Sequence, residues 1–106
     1  SRKVVLKGVD GVVFVADSQV ERMEDNLESF KSLDSNLREQ GYDMRQLPFV
    51  FQYNKRDIPN PIPTKVLREQ LNTFGADEFE AVALQGTGVF DTLKSISKKM
   101  LKTLRS

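Results

Sequence analysis

The sequence predicts an α/β fold built on a parallel sheet, and two observations predict it. Short apolar runs rich in β-branched and aromatic residues, GVVFVA from Gly11 to Ala16 and PFVFQY from Pro48 to Tyr53, have the character of strands buried on both faces. Longer segments with apolar residues at helical spacing separate and follow them, giving the order β-α-β-α-β-α with connections too long for hairpins. Parallel pairing through right-handed crossovers suits such an order.

Each element has its own signals. Asp17 closes the first strand, and Ser18-Gln19-Val20-Glu21 has the spacing of a capping box, Ser18 bonding the third helical amide and Glu21 reaching back. Met23, Leu27, Phe30, Leu33 and Leu37 then recur on one helical face to about Gln40, with Gly41 as the C′ residue. After the second strand comes a proline-rich loop. Pro63 suits the first turn of a short helix carrying Val66, Leu67 and Leu71, which should stop by Gly75. EFEAVAL, from Glu78 to Leu84, reads as the third strand. Val89, Leu93, Ile96, Met100 and Leu104 place an apolar stripe on a final helix. No internal repeat or low-complexity segment interrupts this order.

Composition narrows the chemistry. A chain of 106 residues with 39% apolar residues is one domain at most, and a net charge of +1 gives no bulk attraction toward nucleic acid or membrane. There is no cysteine and no histidine, which removes disulfides, thiol and imidazole metal sites, and the Ser-His and Cys-His nucleophile pairs. No catalytic or metal-ligating residue is assigned. The longest apolar stretch, Gly11 to Ala16, is far short of a membrane span, and SRKVVLKG lacks the apolar core of a signal peptide. A cytoplasmic location is the default expectation. Lys94, Lys98, Lys99, Lys102 and Arg105 crowd the final helix; they read either as a membrane-facing patch or as solvated cations favoured near a helix C-terminus.

In parallel sheets ligands bind beyond the carboxyl ends of the strands, where the Asn54 to Asp57 and Gln85 to Gly88 loops should converge. Asn54-Lys55-x-Asp57 then acquires a chemical meaning. A carboxylate such as Asp57 can accept two parallel N–H donors at once, an edge that guanine presents through its ring N1–H and exocyclic amine and adenine does not. Asn54 can reach the base N7 or tie loops together, and the aliphatic stem of Lys55 can lie flat across the base. A plain strand-exit turn is the competing reading, since Asn, Asp and Pro are common turn formers.

LPFVFQYNKRDIP resembles the guanine-specificity segment of the Ras-like small GTPases, GVDGVVFVADS the strand before it, and EAVALQGTGVFDTL the second base-contacting loop and last helix. The combination most resembles the bacterial mutual gliding-motility protein A family. The resemblance implies the C-terminal part of a Ras-like P-loop GTPase fold, residues 1–106 forming a partial G domain of a GTP-hydrolysing regulator of gliding motility or cell polarity. It further implies GTP or GDP as ligand, magnesium in the intact parent, and a Roadblock-domain GTPase-activating partner. Asn54, Lys55 and Asp57 would read the base. In the second loop the family's Ser-Ala-Lys falls on Val82, Ala83 and Leu84; only Ala83 is retained, and it would offer a backbone N–H to the guanine carbonyl. Val82 and Leu84 also read as strand-end core residues.

The phosphate loop G-x-x-x-x-G-K-[ST] and the switch residues for magnesium and water are not in this sequence. The nearest mimic, Gly88 to Ser95, has Leu93 where the second glycine belongs and falls on the final helix stripe. Ser1 to Gly8 resembles the last turns of the helix after the switch region, so the chain is expected to be the C-terminal half or more of a longer GTPase. With the phosphate-loop strand missing, the Gly11 to Ala16 strand would have a bare edge, and a homodimer through that edge is expected. A non-catalytic GTPase-like scaffold and an unrelated α/β domain of receiver or flavodoxin type are the alternatives.

Overall fold

The structure, a computed structural model, describes residues 9–105; the Ser1 to Gly8 expectation lies outside them. Six elements carry the fold: β1 (Val12–Asp17), α1 (Met23–Glu39), β2 (Phe49–Asn54), α2 (Thr64–Gln70), β3 (Asp77–Glu80) and α3 (Val89–Arg105). The strands form one three-stranded parallel sheet in the order β1-β2-β3. Its centre is β2, whose FVFQY segment is buried throughout, as a continuous apolar run demands.

The pleat sorts the side chains into two cores. Phe49, Phe51 and Tyr53 face α1 and α2, joining Phe14, Ala16, Leu37, Leu67 and Leu71 in the main cluster. Phe30 meets Phe14 and Phe49 edge to face, the geometry aromatic quadrupoles favour. On the opposite face lies α3, where Ile96 and Met100 crowd Gly11 and the Thr92 hydroxyl accepts from the buried Gln52 amide at 2.9 Å.

The C-terminus of α1 follows its sequence signal. Gly41 takes a left-handed φ of 85°, Tyr42 N–H donates to Leu37 O at 2.8 Å and Gly41 N–H to Arg38 O at 3.0 Å, closing a Schellman motif. Its N-terminus differs from expectation. A 3-10 turn over Val20–Arg22 precedes the helix, and no side chain caps either start. Ser18 is buried and accepts a hydrogen bond from Arg56 instead of capping a helix.

Two further expectations are revised. The third strand ends at Glu80, four residues short of Leu84: Ala81 still bonds Tyr53 and Arg56, then Val82 turns to form an antiparallel bridge with Thr87. On α3 the predicted stripe is buried at Ile96, but Leu93 and Leu104 are exposed, as are Phe90 and Leu101. The helix sits chiefly on β2 and reaches both neighbours, Ile96 and Met100 lying against Gly11 and Ser95 and Lys99 against Asp77 of β3. Among the described residues β1 pairs with β2 alone. Because Val12 N–H points to Pro48 O and alternate residues point opposite ways, Val13, Val15 and Asp17 turn their backbone groups outward. No helix of the described residues is long and apolar enough to cross a membrane.

Candidate functional site

The carboxyl ends of all three strands meet at one end of the sheet. Asp17 and Asn54 are register partners at the last rung of β1 and β2, so Lys55 begins the loop beside the exit of β1. Lys55 holds a left-handed φ of 63°, a conformation uncommon for a residue with a Cβ and one that turns the chain sharply toward Arg56 and Asp57.

Asn54 ties the two expected loops together. Its Oδ1 accepts from Lys55 N–H at 2.8 Å and from Ala83 N–H at 2.9 Å. With the oxygen turned to those donors, the amide nitrogen is left to donate elsewhere. The N–H of Ala83, assigned from sequence to a guanine carbonyl, is thus bonded to Asn54. Val82 is half-buried, Ala83 exposed, and Leu84 stands 103% exposed on a 3-10 turn (Ala83–Gln85), so the strand-end core reading fails for Leu84.

Lys55 Nζ donates to Asp17 Oδ2 at 2.8 Å. The Asp17 carboxylate also accepts from Gln19 N–H at 2.9 Å and from Gln19 Nε2 at 3.1 Å. Partial burial pushes the Asp17 carboxyl up, but the Lys55 and Gln19 bonds together outweigh it and hold the group below its ordinary value. Its backbone is fixed as well. Asp17 N–H donates to Asn26 Oδ1 at 3.0 Å, and Asn26 Nδ2 donates to Asp17 O at 2.8 Å, so a side-chain amide stands where a neighbouring strand's peptide would.

Arg56, the variable position of the motif, is a clamp. Nη1 donates to Ser18 Oγ at 3.1 Å and to Ile62 O, Nε pairs with Glu80 at 3.1 Å, and the Arg56 N–H donates to Ala81 O at 3.2 Å. It joins the exits of β1 and β3 and the proline-rich loop. Asp57 is different in kind. Its carboxylate is exposed and makes no hydrogen bond or ion pair with the described residues.

Beside the loop lies a groove of about 430 Å³ lined by Gln19, Val20, Lys55, Ile58 and Asn60 among others. A groove of about 440 Å³ at the opposite end of the sheet, between Arg45, Phe49, Phe74 and Lys99, touches none of the motif residues. Sequence reasoning missed Asp17, Asn26 and Arg56 as parts of the site. Asp17 and Arg56 carried no local signal beyond polarity, and Asn26 showed only as a polar residue beside an apolar stripe.

An Asn that joins two strand-end loops, a lysine held at the exit of β1 and an exposed carboxylate are hydrogen-bonding groups of the kind that can meet a flat heterocycle with paired N–H donors. No family model matches the chain. Over 105 residues, 99% of its length, it is 57% identical to the mutual gliding-motility protein MglA of Myxococcus xanthus (strain DK1622), and it spans about half, 54%, of that relative. By this similarity and by its parallel three-stranded sheet with flanking helices, the chain is MglA-like, with the α/β fold of the C-terminal part of a Ras-like P-loop GTPase.

Proposed function

We propose that this chain is the guanine-recognising portion, a partial G domain, of a longer MglA-like small GTPase that switches on GTP in gliding motility or cell polarity. The observation that carries the reading is the exposed Asp57 carboxylate, displayed on a loop where Asn54 Oδ1, the Lys55 ammonium and the Arg56 guanidinium are already bonded. Asp57 accepts the guanine N1–H and amine, Asn54 Nδ2 donates to the base, and Lys55 covers one face. Ala83 acts through Asn54, with Val82 and Leu84 flanking it. The nucleotide supplies the phosphoanhydride that is hydrolysed, and magnesium is held by residues outside this chain. A Roadblock-domain GTPase-activating partner and a cytoplasmic location follow from the resemblance. By itself the 106-residue chain forms a homodimer through the Gly11 to Ala16 edge.

In the full-length protein, Asp57→Asn replaces a double acceptor by a group that also donates, which suits the C2 carbonyl of xanthine. Preference should move from GDP toward XDP by about 2–5 kcal/mol in competition binding. Unchanged relative affinities would remove Asp57 as the base reader. The 106-residue chain, which carries no phosphate loop, should show no GTP turnover above buffer. Turnover that co-purifies with the chain after contaminating enzymes are excluded would contradict this.

A further inference from the structure

We infer that Asp17 is a positioning residue for base recognition: locked to the end of β1, its carboxylate holds the head of Lys55, which lines the groove and stands two residues before Asp57 on the same loop. This rests on the guanine reading above. A free lysine stem has many rotamers, and a stem that must lie on a planar base would lose them on binding. Here the head of Lys55 is already held at 2.8 Å, although its side chain is 44% exposed. The anchor is itself rigid. Asn26 bonds both the N–H and the carbonyl of Asp17, and Gln19 donates twice to the carboxylate. The chain of contacts runs from α1 through the last residue of β1 to the base loop, joining residues 38 apart in sequence at the Asp17–Lys55 step. A surface ion pair without this purpose would stabilise the fold a little and leave nucleotide binding alone.

A double-mutant cycle in the full-length protein separates the two. Asp17→Asn keeps the acceptor for the Gln19 amide but removes the charge. It should weaken GDP binding roughly threefold to tenfold when Lys55 is present and have no further effect in a Lys55→Ala background. Amine labelling read by mass spectrometry should show Lys55 reacting several times faster in Asp17→Asn, the other lysines unchanged. Should Asp17→Asn fail to fold, Asp17→Ser, whose hydroxyl can accept the same amide but cannot reach Lys55, takes its place. The same loss in both backgrounds, no loss at all, or unchanged Lys55 labelling overturns the assignment. Absence of GDP binding in the unsubstituted protein is a different failure, which overturns the guanine reading and this role with it.

Discussion

Two glycines near the second loop have nearly the same left-handed φ and should respond differently to a methyl group. Gly86 has φ 78° and nothing near its missing Cβ, whereas Gly88 has φ 77° and a Cβ there would be driven into the Glu80 carbonyl oxygen. Gly86→Ala should cost only the left-handed backbone penalty, about 1 kcal/mol. Gly88→Ala adds a clash with backbone that cannot rotate away, and roughly 2–4 kcal/mol is expected. Chemical denaturation of the two variants checks the contrast, and equal losses would contradict it. At this scale the sequence was only partly legible. Asn54, Lys55 and Asp57 announced themselves as a spaced motif, but the Asp17–Lys55 pair exists only because the β1–β2 register puts Asp17 beside Asn54. Arg56 was hidden for a similar reason: its partners Ser18, Ile62 and Glu80 come from three separate segments.

Among the elements, α2 and β3 are joined by a polar network. Glu78 Oε2 accepts from Tyr53 Oη at 2.7 Å and from Asn72 Nδ2 at 2.9 Å, while Oε1 accepts from Arg68 Nε at 2.6 Å. Burial pushes the Glu78 carboxyl up, but the bonds from Arg68, Asn72 and Tyr53 outweigh it and leave it below its ordinary 4.5. Burial, and next the bond to Glu78, pushes the Tyr53 phenol far up. Because the folded value of Glu78 is depressed, its contribution is complete above pH 4.5 and is lost as the pH falls through the folded value. Glu78→Gln should lower stability at neutral pH by about 1–2 kcal/mol and flatten the loss below that pH. Urea titrations from pH 3 to pH 7 test both; an unaltered acid limb would contradict the linkage. The buried strand β2 and the helix α1 were legible because period and composition agreed over their whole length. The boundary of β3 was not, since EAVAL looks like strand until Val82 turns to bridge Thr87. The start of α1 was misread because Ser18 serves tertiary packing, which outweighs its local capping tendency.

For the whole molecule, the sheet is lopsided. One side of β1 shows outward-turned backbone at Val13 and Val15, and Val15 is 52% exposed. Identical chains would cover this edge most simply by a two-fold antiparallel contact of β1 with its copy. The 106-residue chain should therefore run as a dimer in size exclusion with light scattering, and Val13→Pro, which deletes an outward donor, should yield monomer. A clean monomer at high micromolar concentration would end this idea. That β1 lies at an edge was read from sequence; the exposure of Leu93 and Leu104 on α3 was not, because helical spacing marks an apolar stripe without saying how much of it the sheet covers. Asn26 adds a residue-by-residue signature. By supplying both an acceptor and a donor to Asp17, it seals the last outward rung of an otherwise open ladder. In heavy water the Asp17 amide should keep its proton long after Val13 and Val15 have lost theirs in dilute monomer. On dimerisation the slow zone should spread to Val13 and Val15 and leave Asp17 as it was, so the timing of deuterium uptake along one strand reports which surface has closed.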